Sequence, residues 1–385
     1  MIYRHSEKEL IALARQFKAI AVTGPRQAGK TTLVRKVFPE KPYVSLENPD
    51  TRLFAQEDPR GFLKNYPQGA ILDEIQRVPE IFSYLQQTLD ESNQQGMFIL
   101  TGSNNFLLQE NISQSLAGRV AYLFLLPLSC EEIGGISNID DFLLKGCYPA
   151  LYNSDIEWSK YYANYIRTYI ERDVRLMKNI ADLHTFEKFL RLLAGRTGQL
   201  LNMSNLANDT GVDIKTIGAW ISILEMSFLV FRLQPYHENF NKRVIKTPKV
   251  YFYDTGIASN LLGITNKNQI AFHPLRGHLF ENAVIVDFMK RRFNAGKSNN
   301  LFFWRDNTGH EIDLLIIGSN KNIPIEIKSG QTIASDYFKG IHFWHKLTQS
   351  EGGFIIYGGD SRQERSNGIK VLPFNQMKEA DSEQE

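Results

Sequence analysis

The sequence has little cysteine, almost no net charge and no long hydrophobic run. Only Cys130 and Cys147 occur among 385 residues, which excludes a disulfide framework and is typical of a reducing, cytoplasmic compartment. No run of about 18 uninterrupted apolar residues occurs, so no membrane span is expected. The first residues pass directly into a charged segment, and we expect no signal peptide there.

The charge balance limits the partners of the chain. Lysine and arginine number 44, and aspartate and glutamate number 42. Because the chain is not a polycation, any contact with nucleic acid must come from a local patch. The length is too great for one hydrophobic core, so two or three domains are expected.

A glycine-rich stretch follows an apolar run near the start of the chain. It reads VTGPRQAGKTTL from Val22 and matches G-x-x-x-x-G-K-[ST] between a predicted strand and a predicted helix. The pattern predicts a phosphate cradle that binds ATP, formed by Gly24, Pro25, Arg26, Gln27, Ala28, Gly29, Lys30, Thr31 and Thr32. Lys30 is expected to reach the outer phosphates, and the Thr31 hydroxyl to hold Mg²⁺. The alternative is a glycine turn with a chance lysine.

Polar residues follow two later predicted strands. Asp73 and Glu74 end the strand in GAILDE, and Asn104 follows the strand in MFILTGSN. In an open parallel sheet the carboxyl ends of strands are the ligand-binding edge. Asp73 is therefore predicted to hold Mg²⁺, Glu74 to polarise the attacking water, and Asn104 to orient water or touch the γ-phosphate. Alternatively, the two acids cap a helix and Asn104 is a turn residue.

Three blocks and a tail succeed one another along the chain. Residues 1–150 alternate strands and helices, as a parallel α/β sheet does. Residues 151–265 are mainly helical, with an aromatic stripe from Trp158 to Tyr169 that is typical of core packing. Residues 266–375 return to an α/β pattern, and residues 376–385 form an acidic tail.

The middle block contains a winged-helix pattern. Two predicted helices meet at a turn near Gly211, Asp213 is expected to cap the second of them, and two β-rich runs follow. Four cations lie where a wing would present them to DNA, namely Lys242, Arg243, Lys246 and Lys249. The second helix adds only Lys215, so DNA binding and plain domain packing remain as alternatives.

Charged residues lie on otherwise apolar strands near the C-terminal end. Glu326 and Lys328 share one face of a strand, and Asp313 is expected opposite them across a hairpin. Glu281, on the preceding helix, is predicted to approach the same place. A divalent metal at Asp313 and Glu326 would relieve the repulsion of the carboxylates and activate water; the alternative is a simple ion pair with Lys328.

Several signatures together resemble a known family. They are GPRQAGKTTL, LDEIQRVP, LTGSNNFLL, SLAGRVAYLFLLPLS, YIERDV, YFYDTGI, RGHLFENAVI and EIDLLI followed by IPIEIKSG. The chain resembles predicted AAA-superfamily ATPases of bacteria and archaea with a C-terminal domain of unknown function. The resemblance implies a P-loop ATPase core, a winged-helix middle domain and an end similar to PD-(D/E)XK restriction endonucleases.

The resemblance also assigns residues. The nuclease motif acid falls on Asp313 and the (D/E)-x-K motif on Glu326 to Lys328, although Ile312 replaces the usual proline. Arg119 in SLAGR corresponds to an arginine that acts in cis as a sensor, or in trans on the nucleotide of a neighbouring subunit. A surface ion pair is the alternative.

Two functions are compatible with these features. One is an Mg²⁺-dependent ATPase that acts on nucleic acid, with DNA as a partner and Arg119 joining subunits of a homo-oligomer. The other is an ATP-dependent switch that binds another protein and has a catalytically silent C-terminal domain.

Overall fold

The computed structural model describes residues 2–102, 112, 115–169, 182–237 and 245–382. The chain forms two compact units. The first comprises Met1–Leu128, Met226–Phe228 and Lys290–Ser298, and the second comprises Ser129–Glu225, Leu229–Met289 and Asn299–Glu385. The division into three domains near residues 150, 265 and 375 stays a prediction.

The first unit is an α/β structure. Its strands are β1 (Ala19–Thr23), β2 (Tyr43–Ser45), β3 (Ile71–Asp73), β4 (Phe98–Gly102) and β5 (Val120–Phe124). Its helices are α1 (Ser6–Gln16), α2 (Lys30–Val37), α3 (Pro49–Glu57), α4 (Pro59–Lys64) and α5 (Ile81–Glu91).

The five strands form one parallel sheet in the order β2-β3-β4-β1-β5. Helices cover both faces, which is why β1 is buried at every position and its first four residues are apolar rather than alternating. Ala19 and Ala21 pack into the core beneath α3 to α5, and Ile20 and Val22 pack beneath α1 and α2. The parallel α/β prediction is therefore confirmed.

The second unit begins with short helices and a longer aromatic one. These are α6 (Cys130–Ile133), α7 (Ile139–Lys145), α8 (Ala150–Asn153) and α9 (Trp158–Tyr169). Tyr161, Tyr162 and Tyr165 of α9 are buried against Tyr148. These three tyrosines of the aromatic stripe thus pack into a core, as the sequence predicts.

A small helical and β segment follows. It contains α10 (Leu183–Ala194), β6 (Gln199–Leu200), α11 (Met203–Thr210), α12 (Ile214–Met226), β7 (Val230–Leu233) and β8 (Lys249–Phe252). The strands pair antiparallel in the order β6-β8-β7. Gly211 ends α11 with a left-handed backbone, and the Asp213 carboxylate accepts a 2.9 Å hydrogen bond from the Thr216 amide. The predicted turn and cap are both present.

The rest of the second unit carries a mixed sheet. Its helices are α13 (Thr255–Leu261), α14 (Lys267–Ala271), α15 (Arg276–Asn294), α16 (Lys339–Thr348) and α17 (Glu379–Ser382), except that the part of α15 from Lys290 onward is counted with the first unit. Its strands are β9 (Leu301–Arg305), β10 (Glu311–Ile317), β11 (Asn322–Lys328), β12 (Gly353–Tyr357), β13 (Gln363–Glu364) and β14 (Ile369–Pro373).

The order of this sheet is β13-β14-β12-β11-β10-β9. Strands β9, β10 and β11 are antiparallel, whereas β11, β12 and β14 run parallel. One face packs against α16 through Trp304, Trp344 and their apolar neighbours. In the described part of the chain, no helix combines the length and the apolar character needed to cross a membrane.

Candidate functional site

The loop between β1 and α2 has the shape of a phosphate cradle. Gly24 has φ +152°, and a Cβ there would lie 2.1 Å from the Leu125 carbonyl oxygen, so only glycine fits. Gln27 and Gly29 also have positive φ angles, of 59° and 94°. Such left-handed backbone turns successive N–H groups toward one concave spot, which favours an anion.

Lys30 lies inside this loop. Its side-chain Nζ donates hydrogen bonds to the carbonyl oxygens of Gly24, at 2.9 Å, and Pro25, at 2.8 Å. The residue is 7% exposed, and burial lowers the pKa of its amine to about 8. Both hydrogen-bond acceptors are neutral carbonyl oxygens, which compensate the positive charge of the buried ammonium only in part. An anion that binds beside Lys30 would therefore stabilise the charged form of its amine. The loop therefore fits a nucleotide phosphate.

Asp73, at the end of β3, collects three hydroxyl donors. The Thr31 hydroxyl lies 3.3 Å from both of its carboxylate oxygens, and the Tyr43 hydroxyl donates at 2.6 Å. The Thr101 hydroxyl at the end of β4 donates to Oδ1. Burial, and then Asp73, raise the pKa of Tyr43 to about 12, so its hydroxyl stays a donor. A carboxylate beside the Thr31 hydroxyl fits the oxygen ligands that Mg²⁺ prefers.

Glu74 lies directly after Asp73 with a strained backbone. Its φ of 54° is left-handed, an uncommon state for glutamate that is often found at functional sites. The Gln76 side-chain amide donates to Glu74 Oε2, and no side chain caps the short 3₁₀ turn that follows. The structure therefore does not support the helix-cap alternative for this acidic pair, because the carboxylate of Asp73 binds hydroxyls and the side chain of Glu74 makes no cap hydrogen bond to the turn that follows.

Arg4 was not predicted as a site residue, yet it braces the cradle. Its guanidinium is buried and donates to the carbonyl oxygens of Ala28, at 2.7 Å, and Leu126, at 2.6 Å. Gly29 also lies near it, because a Cβ there would be 3.7 Å from Arg4 Nη1. One side chain thus ties the cradle to the segment after β5. The only signal in the sequence is a lone arginine before α1.

One predicted catalytic residue, Arg119, is not brought to the cradle. Asn104 lies outside the described residues. Arg119 directly precedes β5, and the first residue of β5 pairs with the first residue of β1. Arg119 therefore lies near the amino-terminal ends of these strands, whereas the cradle follows the carboxyl end of β1. There it makes a two-pronged ion pair with Asp90, at 2.5 and 2.9 Å. This position does not support a sensor in cis; action in trans stays a prediction.

The C-terminal residues converge as the sequence predicts. Pairing of Leu314 with Ile325 places Asp313 opposite Glu326. Lys328 Nζ lies 3.3 Å from Asp313 Oδ2 and 3.0 Å from Glu326 Oε2. Burial and then Asp313 raise the pKa of Glu326 well above its usual range.

These residues line a cavity of about 750 Å³ together with Lys249, His278, Glu281, Arg305, His310, Glu311 and others. Among the described residues, no three His, Cys, Asp or Glu side chains are grouped so that they could hold a metal ion. The arrangement therefore favours the ion-pair alternative at Asp313, Glu326 and Lys328 over the metal centre, and it does not fit a divalent cation as it stands.

The prediction that Lys249 faces nucleic acid is wrong. Lys249 is 3% exposed, and its ammonium pairs with Glu281 and Glu311. Buried carboxylates, rather than solvent, surround it. Of the other predicted patch residues, Lys246 is exposed, while Lys242 and Arg243 lie outside the described residues.

Comparisons with known proteins agree with this organisation. A family model described as an AAA domain matches residues 16–134. Two models described as domains of unknown function, DUF8612 and DUF4143, match residues 136–268 and 276–377. Together with the parallel sheet and its cradle, these matches define an AAA-type P-loop ATPase domain followed by a C-terminal DUF4143 domain.

The chain is 30% identical over 364 residues to an uncharacterized protein of Mycobacterium tuberculosis, and the match covers 93% of this chain and 80% of that protein. The chain therefore belongs to the same family as the mycobacterial protein. An uncharacterized protein of Methanocaldococcus jannaschii is 23% identical over 344 residues, covering 80% of this chain and 74% of its own.

Solved structures resemble parts of the chain. A Walker-type ATPase of Pyrococcus abyssi superposes with a TM-score of 0.42 and 15% identity, over 66% of this chain and 94% of its own. A RuvB variant of Thermotoga maritima gives a TM-score of 0.31 and 15% identity, over 60% and 90%. These likenesses are partial and concern the fold alone.

Proposed function

We propose that the first unit binds ATP with Mg²⁺ at residues 24–32 and hydrolyses it. The observation that carries the proposal is the meeting of Asp73 with the Thr31 hydroxyl beside the buried ammonium of Lys30. When bound, Mg²⁺ neutralises charge on the outer phosphates. Thr31 and Asp73 would hold this ion, and Lys30 would exchange its carbonyl partners for phosphate oxygens.

Glu74 is the proposed base. It follows Asp73 on a left-handed turn, which directs its carboxylate differently from that of its neighbour. A carboxylate near the γ-phosphate polarises water and accepts its proton as the water oxygen bonds to the γ-phosphorus and the bridging oxygen leaves with ADP. The Gln76 amide, which donates to Glu74 Oε2, would hold that carboxylate in place.

The test separates binding from turnover. Lys30→Ala should weaken ATP binding, measured with a fluorescent nucleotide, whereas Lys36→Ala at the exposed end of α2 should not. Glu74→Gln should keep wild-type affinity and lose phosphate release, with the exposed Glu80→Gln as its control. Wild-type turnover in Glu74→Gln would remove Glu74 from the mechanism, and wild-type binding in Lys30→Ala would remove the cradle.

Nucleic-acid engagement by the second unit is a second candidate function. It is supported by the order of helices and strands from α10 to β8, which is the order that we expect for a winged helix, and by an exposed Lys246 beside β8. Contacts of this kind go mainly to phosphates, so binding should be weak and salt-sensitive.

Duplex DNA binding across a salt series tests this candidate. Alanine at Lys242, Arg243 and Lys246 should weaken binding and flatten the salt slope by about 0.9 for each lost phosphate contact. A variant that keeps both the wild-type affinity and the wild-type slope would leave the alternative: an ATP-dependent switch that binds protein and whose C-terminal domain is catalytically silent.

A further inference from the structure

Lys249 of β8 lies in the wall of the C-terminal cavity, next to the residues that resemble a nuclease motif. Its Nζ is 2.9 Å from Glu281 Oε1 and 2.5 Å from Glu311 Oε1. With 3% of the residue exposed, this ammonium cannot be replaced by solvent in the resting structure. A buried lysine between two carboxylates is a fixed counter-ion.

Three side chains surround the carboxylate of Glu281. Besides Lys249, the Tyr251 hydroxyl donates to Glu281 Oε1 at 2.5 Å, and His278 Nδ1 lies 3.8 Å from Oε2. Burial opposes the charge of Glu281, but the charge of Lys249 and the hydrogen bonds from His278 and Tyr251 together outweigh burial, and the pKa of Glu281 falls to about 2. Glu281 is therefore an ionised carboxylate whose charge is already neutralised.

Basic side chains also contact the other acids of the cavity, although burial and Asp313 still raise the pKa of Glu326 above its usual range. Lys328 bridges Asp313 and Glu326, and Arg305 Nη1 lies 3.0 Å from Glu311 Oε2. Asp313 also helps to hold the pKa of Lys249 well above its usual range, although burial alone would lower it. Lys249 and Asp313 are thus within electrostatic reach of each other.

We propose that Lys249 is a built-in counter-ion that replaces a divalent cation at Glu281 and so keeps this cavity free of metal in the wild-type protein. A divalent cation entering beside Asp313 would be repelled by the ammonium of Lys249 and would find Glu281 occupied. Removing that ammonium frees Glu281, which lines the same cavity as Asp313, and leaves the cavity with one positive charge fewer. Lys249 would have this role whether or not the first unit hydrolyses ATP.

The test is a gain of metal binding in the full-length chain without nucleotide. Titration calorimetry with MnCl₂ should show Lys249→Met binding Mn²⁺ at least about tenfold more tightly than wild type. Adding Glu281→Gln or Asp313→Asn to Lys249→Met should abolish the gain, which assigns it to this cavity rather than to the cradle. Lys346→Met, which removes an exposed lysine of α16, should behave as wild type.

Two calorimetric results would overturn the proposal. One is a folded Lys249→Met that binds Mn²⁺ no more tightly than wild type. The other is wild-type protein that already binds Mn²⁺ as tightly as Lys249→Met and loses this binding with Asp313→Asn.

A stability measurement covers the case in which Lys249→Met is too unstable for calorimetry, since it leaves Glu281 buried without its partner. Mn²⁺ should then raise the melting temperature of Lys249→Met, because a ligand of the native state stabilises it. The double variant Lys249→Met/Glu281→Gln, which restores neutrality, should melt at the same temperature with and without Mn²⁺. A melting temperature of Lys249→Met that Mn²⁺ does not raise would also refute the role of Lys249.

Discussion

Removal of the Arg4 guanidinium should loosen the nucleotide cradle. Arg4 donates to the buried carbonyls of Ala28 and Leu126, at 2.7 and 2.6 Å. Hydrogen bonds to charged groups contribute about 1.5–3 kcal/mol each, so the pair contributes about 3–6 kcal/mol at most. Because water can enter the vacated space and serve one carbonyl, we expect Arg4→Ala to lower the free energy of unfolding by about 2–4 kcal/mol.

The same change should weaken ATP binding in the protein that remains folded. Arg4 contacts the carbonyl oxygen of Ala28, which directly precedes Gly29 and Lys30. Without this contact the loop is less ordered, and ATP binding must supply the free energy that orders it. If ordering the loop costs about 1.4 kcal/mol of the binding free energy, the affinity for ATP drops about tenfold. Arg4→Lys keeps the positive charge, but its single ammonium group cannot bridge both carbonyl oxygens as the planar guanidinium does. The ATP affinity of Arg4→Lys should therefore lie between those of Arg4→Ala and the wild-type protein.

Urea unfolding and titration with a fluorescent ATP analogue measure the two effects separately. Arg15→Ala, which removes an exposed arginine of α1, is the matched control and should change neither quantity. If Arg4→Ala is destabilised but binds ATP with wild-type affinity, the guanidinium supports the fold alone, and its assigned role in positioning the cradle is refuted.

Three further predictions concern residues with assigned contacts. Tyr43→Phe removes a hydroxyl that donates to Asp73 at 2.6 Å, so it should raise the Mg²⁺ concentration needed for half-maximal turnover; an unchanged Mg²⁺ dependence would contradict this. Glu281 has its pKa lowered to about 2, so its stabilising contribution is present above about pH 4 and is lost as the pH falls toward 2; acid unfolding of Glu281→Gln should lack this component. Arg119→Ala should leave ATP affinity unchanged and reduce turnover only at concentrations where subunits associate, and equal turnover at all concentrations would exclude action in trans.

The first unit could be largely predicted from the sequence because its strands are buried on both faces. A continuous apolar run such as Ala19–Thr23, followed by a glycine loop and a helix, leaves few alternatives. The end of β5 was harder to place. The apolar run AYLFLLPLS from Ala121 predicts one strand through Ser129, but β5 ends at Phe124, while Leu125, Leu126 and Leu128 are buried outside it. Burial of an apolar run does not by itself require strand pairing.

Site residues could be predicted from the sequence only where they belong to a short local motif. The cradle and Asp73 lie in short motifs, and alternation along β11 places Glu326 and Lys328 on one face. Arg4 and Tyr43 act through contacts with residues far along the chain, which no local pattern encodes. The nearby cations in sequence predict that Lys249 is an exposed cation of a wing. Its real partners, Glu281 and Glu311, come from a later helix and strand.

The buried lysines distinguish the two candidate sites physically. At the cradle, the ammonium of Lys30 is held by neutral carbonyls, and burial lowers its pKa to about 8. In the C-terminal cavity, burial acts the same way on Lys249 and Lys328, but carboxylates outweigh it and raise both pKa values. A lysine whose charge is under-compensated gains free energy when an anion arrives, whereas a lysine already paired with carboxylates gains little. The cradle is therefore prepared for a phosphate ligand, while the C-terminal cavity must first break an internal ion pair before it can take any ion.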